Sequence, residues 1–277
     1  ICKKFYLKQI ITELNKNETY IQTDYDVKDI IYKHNKLLVD KYNLKNDFIE
    51  PKVPFIQIIP KFHKDPVSFR TIISSSGASL ETISTRLTLV LKFITNKLIN
   101  YTNTMQRFMD INFFWIINNN TKIINDIVKL SRKNSITSIN TYDFTTLYTN
   151  ITHEEIIEAI TFILNLAFHK NDNLKIICIG KNCRWTYSNN NHRNNYIYTY
   201  NYKTILDMIT DLIGNSYFSM GNKIFKQRKG IFMGTSCSPF LANLLLFYYE
   251  YRFLKENLRD NRYICKKLKY TYRYIDD

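Results

Sequence analysis

Apolar positions recur at helical spacing in several long stretches and alternate in several short ones, so the chain reads as an α+β protein. Between about 79 and 99, Leu80, Ile83, Leu87, Val90, Leu91, Ile94 and Leu98 fall on one helical face and predict a strong amphipathic helix. Shorter helices are predicted near 26–42 (Val27, Ile30, Ile31, Leu38), 120–131 and 203–213. In "NITHEEIIEAITFIL", Thr152 and Glu155 have capping-box spacing and start a helix reaching about 168. "LANLLLFYYEYRFL" predicts a core helix: it is too short to span a bilayer and carries Glu250 and Arg252. Ser238 is its expected N-cap, with Pro239 at the first helical position.

The strand signals are shorter. "EPKVPFIQIIPKFHKDPVSFRTIISSS" predicts a hairpin of 55–59 against 69–74. Lys61, His63 and Lys64 sit at its connection and Arg70 opens the returning strand. Gly221-Asn222 fits a two-residue turn between 216–220 and 223–227. Two further segments alternate and predict strands, 136–144 ("ITSINTYDF") and 268–275. The first ends at Asp143, and the second runs into Asp276 and Asp277 within "YTYRYIDD". Residues 169–200, Asn-rich and Cys-containing, read as an irregular excursion loop ending in strand-like "NYIYTY". Residues 1–50 are polar and Lys/Asn-rich. There is no internal repeat and no flexible linker.

Lys and Arg outnumber Asp and Glu by 39 to 24, a net charge of +15. That excess points to a polyanionic partner, nucleic acid before an anionic membrane surface; a merely soluble basic protein is the plain alternative. The 21 Tyr and 18 Phe favour nucleic acid, because aromatic faces among cations suit base stacking, although most of these rings must be core. Five cysteines form no regular set. Cys178 and Cys183, with His192 downstream, lack the second pair that a zinc site needs, so all five read as reduced thiols of an intracellular protein. No signal peptide opens the chain. It starts at Ile1 and is expected to be part of a longer product. The abundance of Asn, Lys, Ile and Tyr beside 6 Gly and 5 Pro suggests an AT-rich coding sequence.

The carboxylates carry the candidate chemistry. If the strands ending at Asp143 and at Asp276/Asp277 are neighbours, their acids converge at one sheet edge. Close carboxylates repel one another unless a cation lies between them, and Mg²⁺ takes such hard oxygen donors. Two such ions can bracket a phosphate. A Tyr-x-Asp-Asp pattern alone is a weak signal. Its strength comes from order: basic hairpin, strand with Asp, glycine loop with helix, strand with paired Asp.

In that order the sequence resembles the catalytic domain of reverse transcriptases, most closely the Penelope-like retroelement enzymes related to telomerase reverse transcriptase. The resemblance covers roughly 50–277 and rests on "IPKFHKDPVSFRTIISSS", "YDFTTLYTNITHEEI", "GIFMGTSCSPFLANLLLFYYE" and "RYIDD"; "FFWIINNN" and "YFSMGNKIFKQ" are similar to that group as well. It implies an α+β right-hand polymerase with an antiparallel palm sheet packed with helices, C-terminally truncated. The expected divisions are an N-terminal helical extension at 1–50, fingers at 51–135 and a palm at 136–277 that holds the 169–200 insertion.

By position, the resemblance makes Asp143 and Asp276 metal ligands and Asp277 the third acid, with the Phe144 carbonyl also toward metal. Two Mg²⁺ ions are implied. Tyr148 matches an aromatic gate that crowds a ribose 2′-OH and so favours deoxynucleotides; a core Tyr is the plain alternative. Lys61 and Arg70, with Lys64 as a third candidate, match positions gripping the incoming triphosphate; solvated surface charge is the alternative. Met233 and Gly234 match nucleotide contacts, Gly234 letting backbone approach. His63 and His153 are read as a hairpin-tip and a helix-start residue. Phe232 departs from the family, which usually has Pro there, a departure that suggests a decaying copy. The thumb, primer grip and second strand of the paired-Asp hairpin are expected to be absent.

The implied reaction is RNA-directed DNA synthesis, with an RNA template, a DNA primer and dNTPs as partners, no membrane and no obligate protein partner, at a nuclear location. Two rivals stand beside it: an inactive retroelement remnant that only binds nucleic acid, and an RNA-dependent RNA polymerase.

Overall fold

The computed structural model describes residues 2–15, 18–45, 47, 49–62, 65–144, 147–187 and 197–275. Its main core is helical. The expected stripe becomes α3 (Glu81–Met109), which outruns its predicted end by using Thr102 as a further buried position and stops at Asp110 in left-handed conformation. Against it pack α6 (His153–Ala167), α7 (Tyr202–Gly214) and α8 (Ser238–Asp260). Over its first half α8 is apolar almost all round, and the helix buries Leu241, Leu244, Leu245, Phe247, Tyr251 and Leu254. Such a helix is stable only inside a core, each buried Leu contributing about 1.5–3 kcal/mol. Cys237, rather than Ser238, precedes its first turn; the Ser238 hydroxyl donates to the Phe232 carbonyl instead of capping. The Thr152–Glu155 capping box forms as expected. No described helix is long and apolar enough to cross a membrane.

A five-stranded sheet forms a second core. β2 (Phe55–Lys61) and β3 (Ser68–Ser74) pair from Phe55 opposite Ser74 to Lys61 opposite Ser68. β7 (Tyr217–Met220) and β8 (Lys223–Gln227) pair around Gly221, whose positive φ suits the turn. Within residues 1–50, β1 (Tyr20–Thr23) adds to β8, giving the order β1-β8-β7-β2-β3. The sheet is mixed rather than antiparallel, because β2 meets β7 in parallel at Phe55 and Ser219. α1 (Lys3–Leu14) covers one face, and Ile10, Leu14, Ile56, Ile58, Ile73, Phe218, Phe225 and Phe232 form that core. The sequence hides α1 and β1 because α1 buries only Ile10 and Leu14 among lysines.

Three sequence expectations fail here. Within 169–200 the described residues are largely regular: β4 (Lys175–Ile179), β5 (Asn182–Thr186) and β6 (Ile197–Asn201) form an antiparallel sheet in the order β5-β4-β6. It docks on α3 through Trp185 against Phe93, and through the Arg86 guanidinium 3.6 Å above the Tyr198 ring. Cys178 and Cys183, directly opposite each other across β4 and β5, form a disulfide, so not all five cysteines are reduced; Cys237 and Cys265 are buried thiols and Cys2 an exposed one. Finally, 136–144 and 268–275 are not strands. The first runs exposed with no ladder among the described residues, and the second opens with a 3₁₀ turn, Leu268–Tyr270. Alternation makes a segment able to pair, but only a run of paired residues makes it a strand, and 268–275 has a single bridge among the described residues, Arg273 to Ile116. α4 (Thr121–Ser131) precedes the first of these segments and α5 (Leu147–Asn150) follows it.

α2 (Val27–Lys36) continues as a π turn through Leu37–Lys41 and buries Ile30 and His34. His34 Nδ1 lies 2.6 Å from the Ser79 hydroxyl, and burial pushes the imidazole down to about 4, with Lys33 adding to the effect. Above pH ~6.5 the ring is neutral in both folded and unfolded chains and titration changes nothing. As pH falls from ~6.5 toward 4 the unfolded chain takes up the proton first, and folding loses up to about 3 kcal/mol. Urea unfolding at pH 7 and 4.5 should show that loss, and His34→Gln should remove this share of it; an equal pH slope in both proteins would exclude His34 as its source.

Candidate nucleotide site

The loop "RKGIFMGTSC" between β8 and α8 is held at both ends by backbone. At one end Gly230 N–H donates to the Ile151 carbonyl (2.6 Å), Ile231 N–H donates to the Tyr148 carbonyl (2.8 Å), and Lys229 bridges Thr152. At the other end Ile73 N–H donates to the Met233 carbonyl (3.0 Å) and the Ser75 hydroxyl donates to the Gly234 carbonyl. Neither glycine tolerates a side chain. A Cβ on Gly230 (φ +84°) would lie 2.1 Å from the Tyr148 oxygen, and one on Gly234 (φ +138°) 2.2 Å from the Ile73 oxygen. Between them Ile231 is buried in the helical core and Phe232 in the sheet core.

The loop therefore links the segment bearing Tyr148 to the strand bearing Arg70. Tyr148 is half-buried on α5 and rests on the helical core. Met233 is half-buried and Gly234 exposed, both beside β3. Strand alternation places Lys61 and Arg70 on one face of the β2–β3 hairpin, opposite the face where Ile56, Ile58 and Ile73 are buried. Lys61 is half-buried and Arg70 exposed. His153 packs near Gly230, where burial lowers its pKa and a hydrogen bond to the Gly230 backbone opposes the shift.

Of the expected carboxylates, Asp143 is among the described residues. Asp143 and Phe144 are exposed, at the end of an irregular segment just ahead of α5. Asp276, Asp277, His63, Lys64 and His192 lie outside the described residues. Among the described residues no three His, Cys, Asp or Glu side chains group as a metal set, so Asp143 alone does not make one.

Comparison with solved structures separates the possible folds. Apo telomerase from Candida tropicalis aligns over 92% of this chain and 42% of its own, with a TM-score of 0.54 at 14% identity. Telomerase from Candida albicans, in complex with the TWJ fragment of telomeric RNA, aligns over 93% and 39%, with a TM-score of 0.53 at 13% identity. The fold is reverse-transcriptase-like. No family model and no curated protein matches the sequence. The chain spans less than half the length of these telomerase chains, and at such identity the likeness shows the fold alone.

In this reverse-transcriptase-like fold, sequence reasoning missed the group three residues ahead of the paired aspartates in the chain. Arg273 is buried: its Nε donates to Glu250 (2.5 Å), and Nη1 donates to Asn243 Oδ1 (2.7 Å) and the Ile275 carbonyl (2.6 Å). Its backbone pairs with Trp115 and Ile117. Burial raises the Glu250 carboxyl and Arg273 opposes that rise. The available signal was Asn243 and Glu250 two turns apart within the apolar run 240–251 of that helix. Removing one partner of a buried pair strands the other charge, so Glu250→Ala should cost about 3–5 kcal/mol. The double replacement Glu250→Leu/Arg273→Met should cost much less. Chemical denaturation measures both, and equal losses would mean that the pairing is not what matters.

Proposed function

We propose that this chain supplies the fingers and most of the palm of an RNA-directed DNA polymerase of the Penelope-like retroelement type. The observation carrying this reading is the glycine loop, whose backbone joins Tyr148 to the strand bearing Arg70 within a telomerase-like fold. Lys61 and Arg70, diagonal neighbours on the solvent face of the hairpin, grip the dNTP triphosphate, the Arg fork matching paired phosphate oxygens. Tyr148 excludes the ribose 2′-OH, while Met233 and Gly234 contact the nucleotide. The net charge of +15 holds the RNA template and DNA primer by their backbones. Asp143, Asp276 and Asp277, with the Phe144 carbonyl, offer hard oxygen donors. Two Mg²⁺ ions held there would activate the primer 3′-OH and stabilise the leaving oxygen. A nuclear location follows from the same type.

The Asp143 segment, exposed and without a ladder among the described residues, favours one rival, a remnant that binds nucleic acid without catalysis. Primer extension on an RNA template separates the readings. Asp143→Ala should lower dNTP incorporation by about 100-fold or more, with hybrid affinity nearly unchanged. Binding without extension, indifferent to Asp143, would leave the remnant. Tyr148→Ala should admit ribonucleotides; a preference for rNTPs in the unmodified protein would instead indicate an RNA-dependent RNA polymerase.

A further inference from the structure

We propose that residues 229–234 form a rigid strut setting the separation between Tyr148 and Arg70, with Gly230 and Phe232 as positioning residues for sugar discrimination. This rests on reading Tyr148 as the deoxyribose gate. The strut's ends are main-chain, fixed to 148–152 on one side and to Ile73 and Ser75 on the other. Arg70 lies on the same strand as Ile73, so a shift of the loop at Met233 moves the hairpin relative to the gate. Neither end can give way to a side chain, because a Cβ would overlap a carbonyl oxygen at Gly230 and at Gly234 alike.

The middle is fixed differently from the resembling family. Where Pro would lock φ, Phe232 is buried, edge-on to Phe218, which stacks on Phe225 (5.7 Å). It shares that core with Ile73, so the residue stiffening the loop packs with the strand that carries Arg70. A steric gate works only while ring and sugar keep their spacing, and displacements near 1 Å are enough to weaken such selection. Gly230, with φ +84° and its nitrogen bound to Ile151, sets the height of the segment bearing Tyr148.

The test is calorimetric binding of dATP and ATP, which differ only in the 2′-OH, to the chain on an RNA–DNA hybrid with a templating uridine. The unmodified chain should prefer dATP by about 10- to 200-fold. Gly230→Ala should reduce that ratio by about tenfold, and Phe232→Met, which keeps volume and fold, by about threefold, hybrid affinity being unchanged. A loop that merely stabilises the fold would shift the melting temperature without moving the ratio. If Gly230→Ala does not fold, Phe232→Met decides. The inference is overturned if folded variants keep the ratio while Tyr148→Ala loses it. If the unmodified chain shows no preference, or Tyr148→Ala changes nothing, the gate reading fails and takes the strut's role with it.

Discussion

Two adjacent side chains, Ile231 and Phe232, are buried in different cores, and the arrangement of the molecule depends on that pair. Ile231 enters the helical core of α3, α6, α7 and α8, while Phe232 enters the core between the five-stranded sheet and α1. A loop crossing two cores would normally bury unpaired backbone. Here the backbone hydrogen bonds to 148–151 and to Ile73 satisfy it. The glycines follow from this constraint, since the crossing strands approach more closely than a Cβ permits. The helical and sheet layers are thus joined at the place where the candidate nucleotide contacts lie.

The segment leading to the paired aspartates is held by another kind of force. Tyr272 donates to Asp126 of α4, and Arg273 turns inward to Glu250 and Asn243 of α8. A buried ion pair is a poor source of net stability, because desolvation offsets most of the attraction. Its value is geometric. A guanidinium that must meet a carboxylate, an amide and the Ile275 carbonyl admits few positions of the chain that carries it. Apolar packing alone would leave this segment freer to slide.

What the sequence made legible follows from how local each signal is. α3, α6 and α8 were readable because their apolar stripes repeat over many turns, and β7–β8 because Gly221-Asn222 names its own turn. The β4–β5–β6 sheet was not, since β6 pairs with β4 across a long Asn-rich interval that carries no periodicity. The Cys178–Cys183 pairing lies across the short β4–β5 turn and shows only in the strand register. Alternation in 136–144 misled in the other direction, promising a strand without showing its partner. Within the site, Tyr148 and the glycine loop were visible as motif residues, whereas Arg273 looked like one more cation in a basic chain.

Phe232 bears on whether the loop is a relic. Read from sequence, its departure from Pro suggests decay, because a rigid φ is lost. Decay by drift gives no reason for the replacement to fit. Yet Phe232 is nine-tenths buried, edge-on to Phe218, in a core that also holds Ile73. The two positions with least tolerance, Gly230 and Gly234, still hold the only residue whose absent Cβ avoids overlaps at 2.1 and 2.2 Å. A loop that had lost its constraint would have no need of both. Phe232 supplies, by packing into a neighbouring core, the kind of stiffness that a proline supplies by closing a ring on its own backbone.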